Sequence, residues 1–323
     1  MLLACAINPK LEPRPRTLAQ KQAIATHKPK PYPVADMNSE TPSFTVQGPV
    51  RPLVPILLSV PHAGRNYAAQ LGAMVRVPLA SLASLEDRFA DLLVTEATTA
   101  GARSITANTP RLWIDLNRAE TDIDPAMING FVRHGQPISA KARGGLGLIP
   151  RRTSALGDLW VSKLDAEDVG ARIETVHRPY HHAIEQQLNA LRSAFGTAIL
   201  LDVHSMPPLD KGKDGAAAQI VIGDRHGKSA SNRFTSLVGQ MFVDAGLRVA
   251  MNFPYPGNYI IERHGSPAHG VHALQIEICR SLYLDHALDQ PGEGLPFVRH
   301  VLKHIVDALS AEVAGSITAI AAE

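Results

Sequence analysis

Short apolar runs alternate along the chain with longer segments in which apolar residues recur every three or four positions. The runs are bounded by turn-forming and polar residues, and they predict buried strands at 54–60, 197–205, 218–227 and the beginning of 271–285. The periodic segments predict amphipathic helices at 79–101, 162–196, 231–246 and 296–317. Strands that alternate with helices predict an α/β fold whose sheet is covered by helices on both faces.

Three segments carry a weaker pattern. Residues 103–118 predict two short strands around a turn at Pro110. Residues 121–158 are rich in Gly, Pro and Arg but lack the lysine of a phosphate-binding loop, so we expect a mobile surface loop near the active site. Residues 247–265 mix strand and loop. Because no internal boundary stands out, we expect residues 45–323 to form a single catalytic domain.

The N-terminal segment has a different character. Residues 8–40 are rich in Pro, Lys and Arg and show no apolar periodicity. Such a composition does not bury enough apolar surface to offset the entropy of ordering, so we expect residues 1–44 to form a disordered extension. Met37 is a candidate for the true start of translation. The apolar run at 1–6 is too short for a signal peptide and follows no basic region, which favours a cytoplasmic protein.

Composition excludes several classes of function. The chain has 323 residues, of which 45% are apolar and 19% charged, and its formal net charge is +2. Without a Lys/Arg-rich block in its body, nucleic acid is not an expected partner. No run of about 18 apolar residues is present, so we expect no membrane span. Cys5 and Cys279 without a CxxC pair favour a reducing compartment over a disulfide framework. The expected partner is therefore a small molecule.

Polar residues follow four of the apolar runs. They are His62, Asp202 with His204, Asp224 with His226, and Glu277. In open α/β sheets, ligands bind beyond the carboxyl ends of the strands. Histidines at the ends of two buried strands, His62 and His204, therefore predict a shared crevice.

These residues suit a metal centre. A catalytic zinc site commonly uses two histidines and a carboxylate and leaves one position for water. His62 and His204 are the candidate imidazoles, and Asp87 or its neighbour Glu86 is the candidate carboxylate. Glu277 protrudes from an otherwise apolar strand and is the candidate general base, because burial raises the pKa of a carboxyl group. The same side chains also fit purely structural roles, as hydrogen-bonded core histidines and ion-paired acids.

Seven short strings follow one another along the chain: SVPHAG, EDRFADLL, IDLNRAE, HRPYHHAIEQQL, LLDVHSMPP, GNYIIERHG and VHALQIEICRSLYLD. Their order is typical of the N-formylglutamate amidohydrolase family, which the chain resembles over about residues 54–310. The resemblance implies a three-layer α/β/α sandwich with a mixed, mostly parallel sheet, a phosphorylase/hydrolase-like fold similar to that of the zinc-dependent exopeptidases. It implies one Zn²⁺ per chain, for which Co²⁺, Mn²⁺ or Fe²⁺ are alternatives. The implied reaction is hydrolysis of N-formyl-L-glutamate to formate and L-glutamate, late in histidine degradation.

The same resemblance implies the metal centre and the general base. His62 of PHAG, Asp87 of EDRFAD and His204 of DVHS would be the zinc ligands, with Glu86 as the fallback carboxylate. Glu277 of LQIEICR would be the general base that takes a proton from the attacking water.

Other matched residues would act on the substrate or support a ligand. Asp202 would orient a metal ligand by hydrogen bonding. Arg118, and Arg263 with His264, would bind a substrate carboxylate or stabilise the oxyanion, because a guanidinium fork suits a carboxylate. Of these, Arg118 and His264 are the catalytic candidates, and Asn258 would add a substrate contact.

Three departures from the commoner family strings widen the expected substrate. Ala63 stands where serine is frequent, the string at 86–91 lacks a tryptophan, and Glu262 adds a negative charge near the expected pocket. We therefore expect N-formyl-L-glutamate or a related N-acyl amino acid. The alternatives are another zinc exopeptidase-like hydrolase, such as an N-acetylmuramoyl-L-alanine amidase, and a catalytically silent α/β binding protein.

Overall fold

The computed structural model describes residues 41–321, with gaps at residue 69 and at 131–137, 211–214 and 216; of residues 316–321 it describes the backbone alone. Most of the predicted disordered extension, residues 1–40, lies outside the described residues. Phe44, the last residue of the extension predicted to be disordered, begins the first strand of the sheet and pairs with Ala107.

A seven-stranded sheet forms the centre of the described residues. Its strands are β1 Phe44–Gln47, β2 Ile56–Val60, β3 Arg103–Ala107, β4 Ala198–Met206, β5 Ile220–Gly223, β6 Val249–Met251 and β7 Val271–Cys279. Their order across the sheet is β1-β3-β2-β4-β7-β5-β6. The pair β1–β3 and the pair β5–β7 are antiparallel, and the other four neighbouring pairs are parallel. The sheet is therefore mixed and mostly parallel, which confirms the predicted fold class.

Helices connect these strands. In the described residues they are α1 Leu71–Met74, α2 Ala90–Leu93, α3 Thr95–Thr99, α4 Ala140–Arg143, α5 Ala166–Arg172, α6 Arg178–Phe195, α7 Asn232–Asp244, α8 Tyr259–His264 and α9 Leu295–Ala321. A π-helical segment, Ile173–His177, joins α5 to α6, and 3₁₀ segments cover Leu79–Leu85, Pro125–Met127, Pro267–His269 and Arg280–Leu282. Two-residue strands pair outside the main sheet, Ile128–Asn129 with Leu164–Asp165 and Arg152–Thr153 with Gly157–Asp158. Within the described ranges, none of the helices combines the length and the apolar composition that a membrane crossing needs.

The central strands are buried on both faces, and each face has its own core. Alternate residues of a strand point to opposite faces. Leu58 of β2 therefore lies in the cluster that contains Ile305 of α9, whereas its neighbour Leu57 lies in the cluster that contains Ile184 of α6. Two apolar cores separated by one sheet give the three layers.

The direction of the strands decides which polar ends meet. Strands β2, β4 and β7 are parallel neighbours, so their carboxyl ends share one edge. Strand β5 runs antiparallel to β7, so Asp224 and His226, which follow it, lie toward the other end of β7. Asp224 is bonded instead by Asn252 Nδ2 at 2.8 Å and by the Gly227 amide at 3.0 Å. Of the four polar strand ends identified in the sequence, those of β2, β4 and β7 therefore share one edge and that of β5 does not.

Three predicted elements differ from the structure. The helix expected at 79–101 is interrupted, because Glu86 is extended and Phe89 has a left-handed backbone (φ 56°). Residues 111–118 form no second strand, since the Asp115 amide donates to the Leu148 carbonyl and not to a neighbouring strand. The described part of the expected surface loop at 121–158 contains α4 and contributes Leu148 and Ile149 to the core.

Candidate active site

His62 and His204 meet at the carboxyl ends of two neighbouring strands. His62 follows β2 and His204 lies in β4, and the register pairs Ser59 of β2 with Asp202 of β4. The two imidazole centroids are 4.8 Å apart, and both side chains are buried. The two histidines predicted from the strand ends therefore lie side by side.

Asp87 completes a group of three around a common point. Its Oδ2 lies 3.0 Å from His204 Nδ1 and 3.5 Å from His62 Nδ1. Its Oδ1 accepts a hydrogen bond from the Ser205 hydroxyl at 3.2 Å and lies 3.5 Å from the Arg280 guanidinium. One carboxylate oxygen is thus held in place while the other faces both imidazoles. Among the described residues, this is the one group of three such donors that lies within 4.8 Å.

The electrostatics of the group follow from its partners. Burial by itself raises the pKa of Asp87, but the hydrogen bonds and charges of His204 and His62 outweigh it and hold the pKa well below its ordinary value. Burial lowers the pKa of His204, but Asp202 and Asp87 raise it well above its ordinary value. The site is therefore organised around paired charges.

The outer nitrogen of each imidazole is bonded to a second carboxylate. His62 Nε2 lies 2.8 Å from Asp115 Oδ1, and His204 Nε2 lies 2.8 Å from Asp202 Oδ2. A carboxylate only accepts, so each Nε2 carries the proton. This arrangement is the one that commonly orients metal-binding histidines and makes the inner nitrogen more basic. Asp202 occupies the supporting position expected from the sequence.

Asp115 is a functional residue that sequence reasoning missed. It is fully buried in the segment after β3, where its Oδ1 also accepts from the Asn117 amide and its Oδ2 accepts from Arg111 Nε at 2.9 Å. Burial raises the pKa of Asp115, but Arg111 and His62 outweigh this effect and hold it well below its ordinary value. The string IDLNRAE contains Asp115, yet only Arg118 of that string was assigned a role. An acid directly after the apolar Ile114 was the available signal.

Glu277 lies beside this group on the adjacent strand. The register pairs Glu277 of β7 with His204 of β4, so the two side chains share a face. Its Oε1 accepts a hydrogen bond from Gln275 Nε2 at 2.8 Å. Burial raises the pKa of Glu277, although the positive charges of His204 and His62 oppose this shift.

Glu86, the fallback ligand, points elsewhere. Its Oε1 accepts from the Tyr67 hydroxyl at 2.6 Å and its Oε2 from Arg88 Nη1 at 3.0 Å. Burial raises the pKa of Glu86. Both carboxylate oxygens are therefore engaged by other side chains, and the structure brings Asp87, not Glu86, to the two histidines.

Arg118 and Asn258 lie together near Glu277. Arg118 Nη1 donates to Asn258 Oδ1 at 3.3 Å, and Arg118 Nε donates to the Leu146 carbonyl at 2.9 Å. The Asn258 amide donates to Gln275 Oε1 at 3.1 Å, and Gln275 in turn holds Glu277. Two of the predicted substrate-binding residues are thus connected to the predicted base through one glutamine.

Arg263 and His264 are placed differently from the prediction. Arg263 is exposed, and its guanidinium donates to the Tyr259 hydroxyl at 2.8 Å. His264 is buried, with its Nε2 3.0 Å from His181 Nδ1. The structure brings neither side chain into contact with the His62–Asp87–His204 group, and their roles in substrate binding and catalysis stay predictions.

His264 belongs instead to a second histidine cluster, which we call the buried trio: His177, His181 and His264. His181 Nε2 lies 3.0 Å from the Leu116 carbonyl, and His177 Nε2 lies 2.8 Å from the Arg118 carbonyl. Since carbonyls only accept, both Nε2 atoms carry the proton, and His181 Nδ1 must accept from His264. Burial lowers the pKa of each member, that of His181 well below its ordinary value and that of His264 to about 3.

Comparisons with known proteins place the chain among amide hydrolases. A family model described as N-formylglutamate amidohydrolase matches residues 54–284. The chain is 29% identical over 276 residues to an N-formylglutamate deformylase of Pseudomonas putida. The aligned region covers 80% of this chain and 93% of that protein. It is 27% identical over 239 residues to an N-formylglutamate deformylase of Pseudomonas aeruginosa, covering 72% of this chain and 83% of that protein.

Solved structures agree with these sequence matches. A crystal structure of N-formylglutamate amidohydrolase from Ralstonia eutropha superposes with a TM-score of 0.79 and 30% sequence identity. The superposition covers 85% of this chain and 100% of that chain. The similarity therefore extends over the whole length of that solved structure.

Proposed function

Because the chain belongs to the N-formylglutamate amidohydrolase family, a family of hydrolases that act on an amide bond, we propose that it hydrolyses N-formyl-L-glutamate to formate and L-glutamate. A related N-acyl amino acid is the alternative substrate. The observation that carries the proposal is the convergence of His62, Asp87 and His204 beside Glu277.

The donor set fits a resident divalent metal ion, for which we propose Zn²⁺. Two imidazole Nδ1 atoms and one carboxylate oxygen face a common point, and both outer imidazole nitrogens are held by carboxylates. Two histidines and one carboxylate form a common ligand set of catalytic zinc. When bound there, the ion would lower the pKa of a water molecule and polarise the carbonyl oxygen of the substrate.

Glu277 would move the proton. Its Oε1 is occupied by the Gln275 amide, which leaves Oε2 as the atom that takes a proton from the attacking water. Burial raises the pKa of Glu277, so the carboxylate is a stronger base than an exposed one. The same carboxyl group would then return the proton to the nitrogen of the departing amine. The adjacent register position of His204 keeps this transfer next to the metal-facing group.

The test combines formate release from N-formyl-L-glutamate with metal content by elemental analysis. We expect the wild-type chain to carry about one zinc ion, as a three-ligand catalytic site predicts, and to release formate. Glu277→Gln keeps the shape and one acceptor oxygen, so it should retain the metal while kcat falls by roughly 10³-fold. The matched control is Glu185→Gln, which makes the same change at an exposed glutamate of α6.

Each outcome addresses a different part of the proposal. Glu277→Gln with unchanged kcat would remove Glu277 from the proton transfer. If the wild-type chain carries metal and releases acetate from N-acetylglutamate but no formate from N-formyl-L-glutamate, the acyl group of the proposed substrate is acetyl and not formyl. Protein purified without chelators that contains no metal and still releases formate would remove the metal from the proposal.

A further inference from the structure

Two cations converge on one neutral oxygen beside the catalytic group. Lys141 Nζ donates to Asn258 Oδ1 at 2.8 Å, and Arg118 Nη1 donates to the same atom at 3.3 Å. We call Arg118 and Lys141 the cationic pair. Lys141 lies in α4, in the Gly-rich segment that the sequence analysis treated as a loop, and it was not among the predicted site residues.

The cationic pair is compensated from a distance and not by a close ion pair at Lys141, because Asp115 and Asp122 act on Arg118 and Asp115 and Glu277 act on Lys141. The nearest carboxylate, Asp115, is already bonded by His62, the Asn117 amide and Arg111. It lies 3.9 Å from Arg118 Nε. In the part of the chain that the structure describes, Lys141 forms no ion pair within 4.0 Å. Two like charges that share one amide oxygen favour the binding of an anion between them.

The position of the cationic pair relative to the base suits the far end of a short substrate. The Asn258 backbone N–H donates to Gln275 Oε1, and Gln275 Nε2 donates to Glu277 Oε1, so two residues, Asn258 and Gln275, connect the cationic pair to the group that handles the proton. Lys141 is exposed to solvent, so a ligand that enters from outside reaches it. A molecule with its scissile amide at Glu277 would then present a carboxylate of its own to the cationic pair.

We propose that Lys141, together with Arg118 and Asn258, binds a carboxylate of the substrate and makes the enzyme select acyl amino acids that carry two negative charges. The inference rests on the proposed function and adds the residue that determines specificity. The carboxylate is either the side-chain group or the α-group of the acyl amino acid, and these two sources are separated by the experiment below.

The titration of Lys141 gives an independent signature. The side chain as a whole is exposed, but desolvation by the protein around its amino group, together with the charges of Arg118 and Arg111, lowers its pKa to about 8, against the opposing influence of Asp115 and Glu277. A lysine is charged below its pKa, so the pocket loses one positive charge as the pH rises through about 8. The affinity for a dianionic substrate should therefore fall above that pH, whereas Lys141→Arg, which stays charged, should remove this fall.

The experiment compares Lys141→Met, Lys141→Arg and the matched control Arg143→Met on the metal-loaded enzyme. Arg143 lies in the same helix and is exposed, but it donates to the Ile138 carbonyl and not to Asn258. The substrates are N-formyl-L-glutamate, its side-chain amide N-formyl-L-glutamine, and its α-amide N-formyl-L-isoglutamine. Calorimetric binding of glutarate and of glutaric acid monoamide provides a readout that does not depend on turnover.

We expect Lys141→Met to raise KM for N-formyl-L-glutamate by about 10- to 30-fold with little change in kcat, because a charge-assisted hydrogen bond is lost. Lys141→Arg should recover most of this loss, and Arg143→Met should leave KM unchanged. One of the two amides should be indifferent to Lys141→Met, and it identifies the carboxylate that the cationic pair binds.

Equal KM increases for all three substrates, or the same increase in Arg143→Met, would overturn the proposal. If the wild-type enzyme releases no formate from any of them, the proposed function fails, and the binding measurement then decides the inference. Weaker glutarate binding in Lys141→Met, with monoamide binding unchanged, would support the carboxylate site on its own. Equal glutarate binding in wild type and Lys141→Met would refute it.

Discussion

The two histidine clusters of this chain contain similar side chains with different hydrogen-bond partners. The metal-facing pair, His62 and His204, has centroids 4.8 Å apart and points both Nδ1 atoms at Asp87. In the buried trio, the centroids of His177 and His181 are 4.4 Å apart and those of His181 and His264 are 5.3 Å apart. All five side chains are buried. Burial alone therefore does not decide what a histidine does.

The hydrogen-bond partner of each ring nitrogen decides the role of the histidine. The metal-facing pair is bonded to the carboxylates of Asp115 and Asp202, which favour positive charge or a bound cation at the ring. The trio is bonded to backbone carbonyls and to its own members, so burial dominates and keeps the rings neutral. A neutral histidine with one N–H and one acceptor serves as a structural bridge.

The trio nevertheless acts on the site through the backbone. His181 holds the carbonyl of Leu116, and His177 holds that of Arg118. Asn117, between them, donates its side-chain Nδ2 to Gln275 Oε1 at 3.4 Å and accepts from the Ile260 backbone N–H at its Oδ1. The trio thus positions the segment that carries Asp115, Asn117 and Arg118, and it should affect catalysis less than the metal-facing pair does.

The largest expected effect is that of His204→Ala. Removing one of two imidazole donors should reduce the metal content from about one ion per chain to near zero, and formate release should fall by at least 10³-fold, because the reaction depends on the ion. Elemental analysis and a formate assay measure both. His181→Ala is the comparison variant from the trio and should keep its metal. Loss of metal in His181→Ala, with His204→Ala still loaded, would reverse the assignment of the two clusters.

Asp115→Asn should have an intermediate effect. The change removes the charge that holds the His62 Nε2–H while keeping an acceptor oxygen of the same shape. We expect the metal affinity to fall by about 10- to 100-fold, which competition with a chelator measures. Asp158→Asn is the control, since Asp158 bonds Arg151 at the exposed surface. A chelator titration that does not separate these two variants would argue against a supporting role for Asp115.

The smallest expected effect concerns stability in acid. The pKa of His264 is lowered to about 3 in the folded chain from an ordinary value of 6.5. Between these values the unfolded chain binds one more proton at this site, so the free energy of unfolding falls as the pH decreases from about 6.5 to about 3. The slope is about 1.4 kcal/mol per pH unit per histidine. His264→Gln should reduce the measured slope by that amount in denaturant titrations.

The control for this measurement is His182→Gln, which changes an exposed histidine of the same helix that carries His181. Its slope should equal that of the wild type. Identical slopes for His264→Gln and the wild type would show that His264 is not kept neutral in the folded chain.

The sequence alone determined the layers and the placement of three candidate site residues at strand ends. The apolar runs of β2, β4 and β7 can only be buried, and a run that ends in His62, His204 or Glu277 places that side chain at a strand end. These signals are local, because they depend on the period of burial and on the first polar residue after a run. For the same reason the sheet architecture and the pairing of the two histidines were accessible from the sequence, whereas the preference for Asp87 over Glu86 came from the resemblance to the family.

Only the tertiary structure decided which residues from other parts of the chain lie near the carboxyl ends of β2, β4 and β7. Asp115 lies in an irregular segment and Lys141 in the one-turn helix α4, and the position of both is set by contacts distant in sequence, such as that of Lys141 with Asn258. The reversed direction of β5 and the burial of His264 against His181 depend in the same way on which elements pack together. Periodicity reports whether a residue is buried, but a hydrogen-bond partner more than 50 positions away leaves no local trace.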